Sequence, residues 1–357
     1  MSKFHSLKVK DVSHETSDAV SIAFEIPDRL ASEFQFLPGQ YLTLRTTIDG
    51  QDIRRAYSIC SVSEDDLRVG IKRVQGGIFS TFAQDLSVGD ELLIMPPQGS
   101  FICNTDHISD RNILLIAAGS GVTPILSIAS HVLADEPDSN VTLIYGNQAT
   151  NSIMFKTQLE EMKDSHLTRF HMYHVLSREV QDVDLFSGRI DTARIKAMID
   201  KKLFDPFAQD EIYICGPQEM SESLCEYFSN LGVDQEHIHV ELFEATKPTG
   251  EVKVSTEIKE VVEKGVQIDV IFDGLRRQIH LTDPKQTVLE AAQSSGLDLP
   301  FSCAGGMCAT CRCKVIEGEA EMDKNFSLAE WEVEKGFALC CQLRPKSSSL
   351  VIDFDAA

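Results

Sequence analysis

Four cysteines in the last sixty residues have the types and spacing of a metal-cluster site. Cys303-x4-Cys308-x2-Cys311 lies within Phe301-Ser-Cys-Ala-Gly-Gly-Met-Cys-Ala-Thr-Cys-Arg-Cys313, and Cys341 follows after 29 intervening residues. Three thiolates on one loop with a fourth arriving alone is the spacing that holds a [2Fe-2S] cluster. Ala304, Gly305, Gly306, Ala309 and Thr310 are small, so backbone N–H groups can approach the sulfurs and stabilise their negative charge. A structural zinc is the competing reading, but it favours paired Cys-x2–4-Cys knuckles set apart; thiols that merely pack are the other. Cys340 and Cys313 compete with Cys341 for the fourth place. Neighbours on an extended segment point to opposite faces, so only one of Cys340 and Cys341 reaches the cluster, and the spacing selects Cys341.

A one-electron carrier needs an electron source, and three further stretches have suitable chemistry. Arg54-Arg-Ala-Tyr-Ser58 places cation, ring and hydroxyl on one short strand, and Gly76-Gly-Ile-Phe-Ser80 opens a helix expected over 79–86. Free N–H groups at a helix start favour a pyrophosphate. Gly119-Ser-Gly-Val-Thr-Pro124 follows the apolar run Asn112–Ala118 and precedes a helical segment, the strand, turn and helix that cradle a dinucleotide. Cys215-Gly-Pro217 ends a later strand. Each alone has a plain reading as a strand, a turn or an inert buried thiol.

The elements that must position these residues fall into three domains with a linker. Residues 1–104 predict an antiparallel β-barrel, from short runs such as Ala19–Phe24, Tyr41–Leu44 and Leu67–Ile71 punctuated by Pro38-Gly39 and Asp49-Gly50. Residues 105–245 predict an α/β doubly wound parallel sheet, with strands at Asn112–Ala118, Val141–Tyr145, His171–Leu176, Glu211–Cys215 and His239–Phe243. Residues 246–265, with four lysines, four glutamates, Pro248 and Gly250, predict a solvated linker in which 257–264 has the makings of a short helix. Residues 266–357 give a hairpin turning at Asp273-Gly274, a helix from Thr287 to Gln293 and then the cysteine loop.

Composition narrows the function classes. The 357 residues are 43% hydrophobic and 25% charged, as in a globular protein. No apolar run reaches the ~18 residues of a membrane span, and the polar start Met1-Ser-Lys-Phe-His-Ser is no signal peptide. A reducing cytoplasm therefore suits the ten cysteines. A net charge of −22 argues against nucleic acid and anionic membranes as partners. The excess lies mainly in 105–245, which hold 23 acidic against 10 basic residues, and less in 266–357, with 14 against 9. Glu236-x-x-His239 is the one match to a di-iron half-site, and it precedes a strand, so it reads as chance.

Taken together, Arg55-x-Tyr57-Ser58, Gly76-Gly77, Gly119–Pro124 and Cys215-Gly-Pro217 resemble the ferredoxin–NADP reductase superfamily, and 266–357 resemble its plant-type β-grasp ferredoxin partners. The resemblance implies that Arg55 contacts the phosphates of a flavin (FAD), that Tyr57 packs on the isoalloxazine and that Ser58 lies near flavin N5. It further implies that Gly76, Gly77 and Ser80 hold the pyrophosphate. Gly119, Ser120, Gly121, Thr123 and Pro124 would bind the nicotinamide nucleotide, and Cys215, Gly216 and Pro217 would face the nicotinamide. Glu241 and Phe243 would lie near the flavin, with Ser58, Cys215 and Glu241 as the catalytic group. Ser177-Arg178 resembles the pair that grips the 2′-phosphate of NADPH; a surface arginine in an NADH-using enzyme is the other reading. The Leu-x-Cys ending of the family again selects Cys341. Phe4–Leu7, Arg54–Cys60, Ala117–Pro124, Ser187–Asp191, Cys308–Val315, Asn325–Leu328 and Val351–Asp355 resemble the reductase components of the phenylacetyl-CoA epoxidase family. That implies an oxidoreductase passing electrons from NADPH through FAD and a [2Fe-2S] cluster to a separate di-iron oxygenase in phenylacetate catabolism. Reductases of steroid, alkane or aromatic hydroxylases share the module order. A stand-alone diaphorase and a redox-sensing iron–sulfur flavoprotein are the remaining readings.

Overall fold

A computed structural model of the chain describes residues 4–63, 66–105, 110–243 and 255–356. They divide between 244 and 245 into two compact units.

The first unit begins with β1 (His5–Thr16), β2 (Ala19–Glu25), β3 (Tyr41–Ile48), β4 (Gln51–Ser58), β5 (Arg68–Lys72) and β6 (Glu91–Ile94). Their antiparallel order is β4-β3-β6-β1-β2-β5. Ile59 then bridges Val69, and Cys60 N–H donates to the Arg68 carbonyl at 2.9 Å, so the two outer strands meet and the sheet closes. Closure removes both edges. Leu7, Val20, Ile22, Leu42, Leu44 and Ile71 fill the interior, each contributing about 1.5–3 kcal/mol by leaving water. Asp49 and Gly50 both take positive φ (51° and 75°), as the tight β3–β4 hairpin requires. The helix expected at 79–86 is shorter: α1 spans Ile78–Phe82, and a 3₁₀ turn covers Ala83–Asp85.

The same unit continues into five parallel strands, β7 (Asn112–Ala118), β8 (Asn140–Asn147), β9 (Phe170–Leu176), β10 (Glu211–Gly216) and β11 (Ile238–Leu242), ordered β11-β10-β7-β8-β9. The chain leaves β7 on one side for β8 and β9, then returns on the other for β10 and β11. That reversal puts a ligand-binding crevice at the carboxyl ends of β7 and β10. Helices α2 (Val122–Asp135), α3 (Lys156–Ser165), α4 (Thr192–Asp200) and α5 (Gln218–Leu231) connect the strands. Every α2 residue from Val122 to Leu133 is buried, because the helix packs on the sheet and also reaches the barrel's Ala19 and Cys60 in one core.

The second unit holds α6 (Thr256–Glu263), β12 (Val266–Phe272), β13 (Leu275–Leu281), α7 (Val288–Ser294), β14 (Arg312–Glu317), β15 (Ala320–Met322), α8 (Glu330–Glu334), β16 (Phe337–Leu339), β17 (Leu343–Pro345) and β18 (Ser349–Asp353). A mixed sheet runs β13-β12-β18-β14-β16, with β12 and β18 parallel, and β15 pairs with β17. This is the β-grasp arrangement expected for 266–357. Thr287 and Glu290 form a reciprocal capping box at the start of α7. Of the expected linker, 246–254 lie outside the described residues. From Ser255, which caps α6, the chain is helical, and Ile258 and Val262 enter the second unit's core. Among the described residues no helix is long and apolar enough to cross a membrane.

Candidate functional site

In the first unit, the end of β4 meets the ends of β10 and β11. Ser58 is buried, and its hydroxyl donates to Glu241 Oε2 at 3.2 Å. Cys215 is the register partner of Glu241 in the parallel β10–β11 pair, so both side chains leave the same face of the sheet. Burial pushes the Glu241 carboxyl up to about 8, with the Ser58 hydroxyl opposing, and raises the Cys215 thiol well above its usual range, helped by Glu241. Both groups hold their protons to higher pH than they would in water. Phe243 packs against the core that contains Cys215.

Along β4, Arg54 is buried against Asp52 (3.0 Å) and the Phe4 ring, whereas Arg55 is exposed and donates to the Arg54 carbonyl. Tyr57 packs on Phe79 with ring centroids 5.5 Å apart. The Ser80 hydroxyl accepts from Val74 N–H at 3.1 Å and lies 3.3 Å from the Gly77 carbonyl, so it closes its own loop. Gly76, at φ +74°, has nothing within 4 Å where a Cβ would sit. A phosphate can approach that backbone directly.

After β7, Gly119 takes φ +56°, and its carbonyl accepts from the Tyr145 hydroxyl at 3.0 Å. A Cβ on Gly121 would stand 2.2 Å from the Cys215 carbonyl oxygen. Only glycine allows the β7 loop to touch the end of β10, and that contact brings Gly119–Pro124 beside Cys215-Gly216-Pro217. Thr123 Oγ1 donates to the Ser120 carbonyl at 3.0 Å, and Pro124 is buried in the first turn of α2. Ser177 and Arg178 are exposed just beyond β9. A cleft of about 640 Å³ lined by Glu15, Thr150, Lys156 and Glu179 contains none of the expected site residues.

In the second unit the loop 303–311 is curled by Ala304 (φ 49°), Gly306 (81°) and Ala309 (52°), all left-handed. Such backbone is costly for alanine and persists where the surroundings demand it. It aims the N–H groups of Gly305 and Met307 at Cys303 Sγ (3.3 and 3.4 Å) and that of Cys303 at Cys308 Sγ (3.4 Å). Cys303 contacts Cys308, and Cys311 contacts Cys341. The Cys308 contact, with the N–H groups of Gly305 and Met307, holds Cys303 below the ordinary thiol range. Among the described residues no three His, Cys, Asp or Glu side chains converge as for a single metal ion. Two pairs of thiols fit two irons, two ligands each, and do not fit one tetrahedral zinc. Cys340 and Cys313 are fully buried and turned toward each other. The Cys340–Gln342 segment is a 3₁₀ turn rather than extended, yet it still separates the two side chains.

Two site residues had no sequence signal. Gln342 Nε2 lies 3.6 Å from Cys341 Sγ and donates to the Ala304 carbonyl at 3.1 Å. Tyr145 reaches the Gly119 turn from β8, 26 residues away.

Family models match the chain as an oxidoreductase FAD-binding domain over residues 6–102, an oxidoreductase NAD-binding domain over 115–226 and a 2Fe-2S iron-sulfur cluster binding domain over 270–346. The chain belongs to the reductases of the ferredoxin–NADP reductase superfamily that carry a ferredoxin domain after the nucleotide domain, and is an oxidoreductase using FAD, a [2Fe-2S] cluster and NAD(P)H. It is 40% identical over 358 residues to a component of the 1,2-phenylacetyl-CoA epoxidase of Escherichia coli (strain K12), covering 100% of this chain and 99% of that one. It is 32% identical over 356 residues to the 3-ketosteroid-9-alpha-monooxygenase ferredoxin reductase component of Rhodococcus rhodochrous, covering 98% and 96%. Phthalate dioxygenase reductase has the same fold, with a TM-score of 0.59, 21% identity and 98% of each chain covered.

Proposed function

We propose that this chain is the reductase component of a multisubunit di-iron oxygenase acting on phenylacetyl-CoA, drawing electrons from NADPH in the cytoplasm. When bound, FAD takes the paired electrons of the nicotinamide and releases them singly to a [2Fe-2S] cluster. The carrying observation for the electron-transfer chemistry is the meeting of Ser58, Cys215 and Glu241 where barrel and nucleotide domain join.

At that junction the residues position and shield. Ser58 and the uncharged Glu241 offer hydroxyl and carboxyl protons at the barrel's mouth without a fixed charge. Cys215, buried and protonated, gives the nicotinamide side an apolar wall that excludes water. Tyr57, backed by Phe79, supplies a flat surface for the isoalloxazine, and Arg55 an exposed cation for the flavin phosphates. Open backbone at Gly76 and Gly119, with Gly77, Ser80, Ser120, Gly121, Thr123 and Pro124 shaping the two turns, suits the pyrophosphates of flavin and nucleotide. Gly216, Pro217 and Phe243 close the nicotinamide end. Cys303, Cys308, Cys311 and Cys341 would hold the cluster.

The choice of oxygenase rests on the 40% identity to the phenylacetyl-CoA epoxidase component. The steroid monooxygenase reductase, at 32%, supports a second reading in which another oxygenase is served. Reconstitution decides between them. Mixed with the oxygenase components of a phenylacetyl-CoA epoxidase, NADPH and phenylacetyl-CoA, the chain should support epoxide formation coupled to NADPH oxidation. NADPH oxidation without product, alongside turnover with a steroid oxygenase, would overturn the assignment.

A further inference from the structure

A neutral amide is buried beside the cluster cysteines. Gln342 is 7% exposed, in a run from Ala338 to Pro345 that is buried throughout. Leu339 and Leu343 in that run gain by leaving water, whereas a buried amide loses about 2–7 kcal/mol unless its hydrogen bonds are restored. A methionine or a leucine would fill much the same volume without that cost. The reason for an amide must therefore lie in what it bonds.

Its nitrogen faces three acceptors. Gln342 Nε2 donates to the Cys341 carbonyl at 2.9 Å and to the Ala304 carbonyl at 3.1 Å, and it lies 3.6 Å from Cys341 Sγ. Carbonyl oxygens only accept, so the amide nitrogen and not its oxygen must face this side. Two protons serve three acceptors, and the sulfur shares one of them. The backbone beneath is held on both sides. Asp323 N–H donates to the Gln342 carbonyl at 2.9 Å. Arg344, two residues on, donates from Nε to both Asp323 oxygens at 2.7 and 2.8 Å, and from Nη1 to the Pro284 and Gln286 carbonyls. Gly306, on the cysteine loop, leaves room for the side chain: a Cβ there would stand 3.1 Å from Gln342 Cγ.

The other ligand sulfurs are served from the loop or from the backbone. Gly305 and Met307 N–H reach Cys303 Sγ, Cys303 N–H and Thr310 Oγ1 reach Cys308 Sγ, and Cys341 N–H reaches Cys311 Sγ. Cys341 arrives on a separate segment, where Gly306 N–H and the Gln342 amide serve it. An N–H group aimed at a ligand sulfur favours the more negative state of the site, and one-electron reduction adds one negative charge. A donor already fixed in a buried place acts strongly and needs no reorganisation when the electron arrives. The same amide also ties the fourth ligand's segment to Ala304 on the loop of three. Tuning and latching are separable by measurement.

We propose, resting on the ligand set given above, that Gln342 raises the reduction potential of the [2Fe-2S] site through its amide contact with Cys341 Sγ, and so favours transfer of single electrons from the flavin. Gln342→Met keeps the length of the side chain and removes the donor. Gln342→Glu keeps the shape but offers one proton at best where the amide has two. Mediated redox titration of the full holoenzyme, followed by visible absorbance and EPR, reads the effect. Each variant should make the one-electron reduction about 3- to 10-fold less favourable, a fall of about 30–60 mV. The flavin potential in the same titration should not move, and iron per chain should stay at the wild-type value. Either variant with full iron and the wild-type cluster potential overturns the proposal. Loss of the cluster from both also overturns it, because Gln342 would then be a latch alone. Cys341→Ser, measured alongside, separates the premise from the inference. If Cys341→Ser keeps its iron and absorbance, the ligand set falls. If it loses them while iron-replete Gln342 variants titrate like the wild type, the donor role falls and the ligand set stands.

Discussion

Ser58 and Glu241, 183 residues apart in the chain, meet through a 3.2 Å hydrogen bond that joins the last residue of a barrel strand to the outermost strand of the parallel sheet. On the function proposed above, that contact, with Cys215 beside Glu241, is where a flavin held by the barrel and a nicotinamide held by the sheet would come within reach of each other. Ser58→Ala and Cys215→Ala should each slow flavin reduction by NADPH about 10- to 100-fold while FAD stays bound. Stopped-flow single turnovers measure the step and the flavin spectrum reports occupancy. Unchanged reduction rates in both variants would remove these residues from the reacting centre.

Glu241 gives a pH signature of a defined sign. Its carboxyl is raised by burial from 4.5 to about 8, so between those values the folded chain keeps a proton that the unfolded chain has lost. This group's contribution to stability is complete below pH 4.5 and is lost as pH rises through about 8. Glu241→Gln should therefore gain stability relative to the wild type as pH increases across that window, and be closest to it at the acid end. Urea unfolding midpoints at pH 5, 7 and 8.5 test this, and a difference that stays flat with pH would mean that the carboxyl is ionised throughout.

Gly121 carries a packing prediction. A methyl at this position would meet the Cys215 backbone at 2.2 Å, and backbone cannot move aside as a flexible side chain can. Gly121→Ala should cost about 1–3 kcal/mol and weaken nucleotide binding, because the β7 loop and the end of β10 must separate. Gly274→Ala, at a surface hairpin with open space around it, should leave nucleotide binding unaltered. Thermal unfolding and coenzyme titration of the two variants separate the effects, and normal coenzyme affinity in Gly121→Ala would deny the close approach its role.

How much was legible in the sequence depended on how local the signal was. The cysteine loop, the Asp49-Gly50 and Asp273-Gly274 hairpins and the buried run Asn112–Ala118 announce themselves, since spacing, turn chemistry and apolar continuity all act over a few residues. The tandem Arg54-Arg55 does not. Which of the two is buried against Asp52 and the Phe4 ring, and which is exposed, depends on the face that strand pairing gives each of them and not on the tandem itself. The same holds for Ser187, which one bridge sets beside Leu176 at the end of β9. The stretch 255–263 reads as solvated charge because only Ile258 and Val262 on one face of α6 enter the core.

The fourth cluster ligand is the sharpest remaining test, because two adjacent cysteines offer themselves. Cys341 N–H points to Cys311 Sγ at 3.5 Å and its own sulfur contacts Cys311, while Gln342 Nε2 donates toward it at 3.6 Å. Cys340 turns the other way, toward Cys313, and both of those thiols are fully buried in the β-grasp core among Val266, Ile352 and Leu339. Moving Cys340 into the ligand place would unwind the 3₁₀ turn at Cys340–Gln342 and break the Cys340 N–H bond to the Cys311 carbonyl at 3.0 Å. Cys341→Ser should therefore lose or badly destabilise the cluster, read as bleaching of its visible absorbance and a fall in bound iron, while flavin reduction by NADPH continues in the first unit. Cys340→Ser and Cys313→Ser should keep the cluster with at most a modest drop in thermal stability, since each exchanges a small buried thiol for a hydroxyl in an apolar setting. If Cys340→Ser bleached the protein and Cys341→Ser did not, the ligand set would be Cys303, Cys308, Cys311 and Cys340, and the loop would have to bind its irons in a geometry other than the one found here.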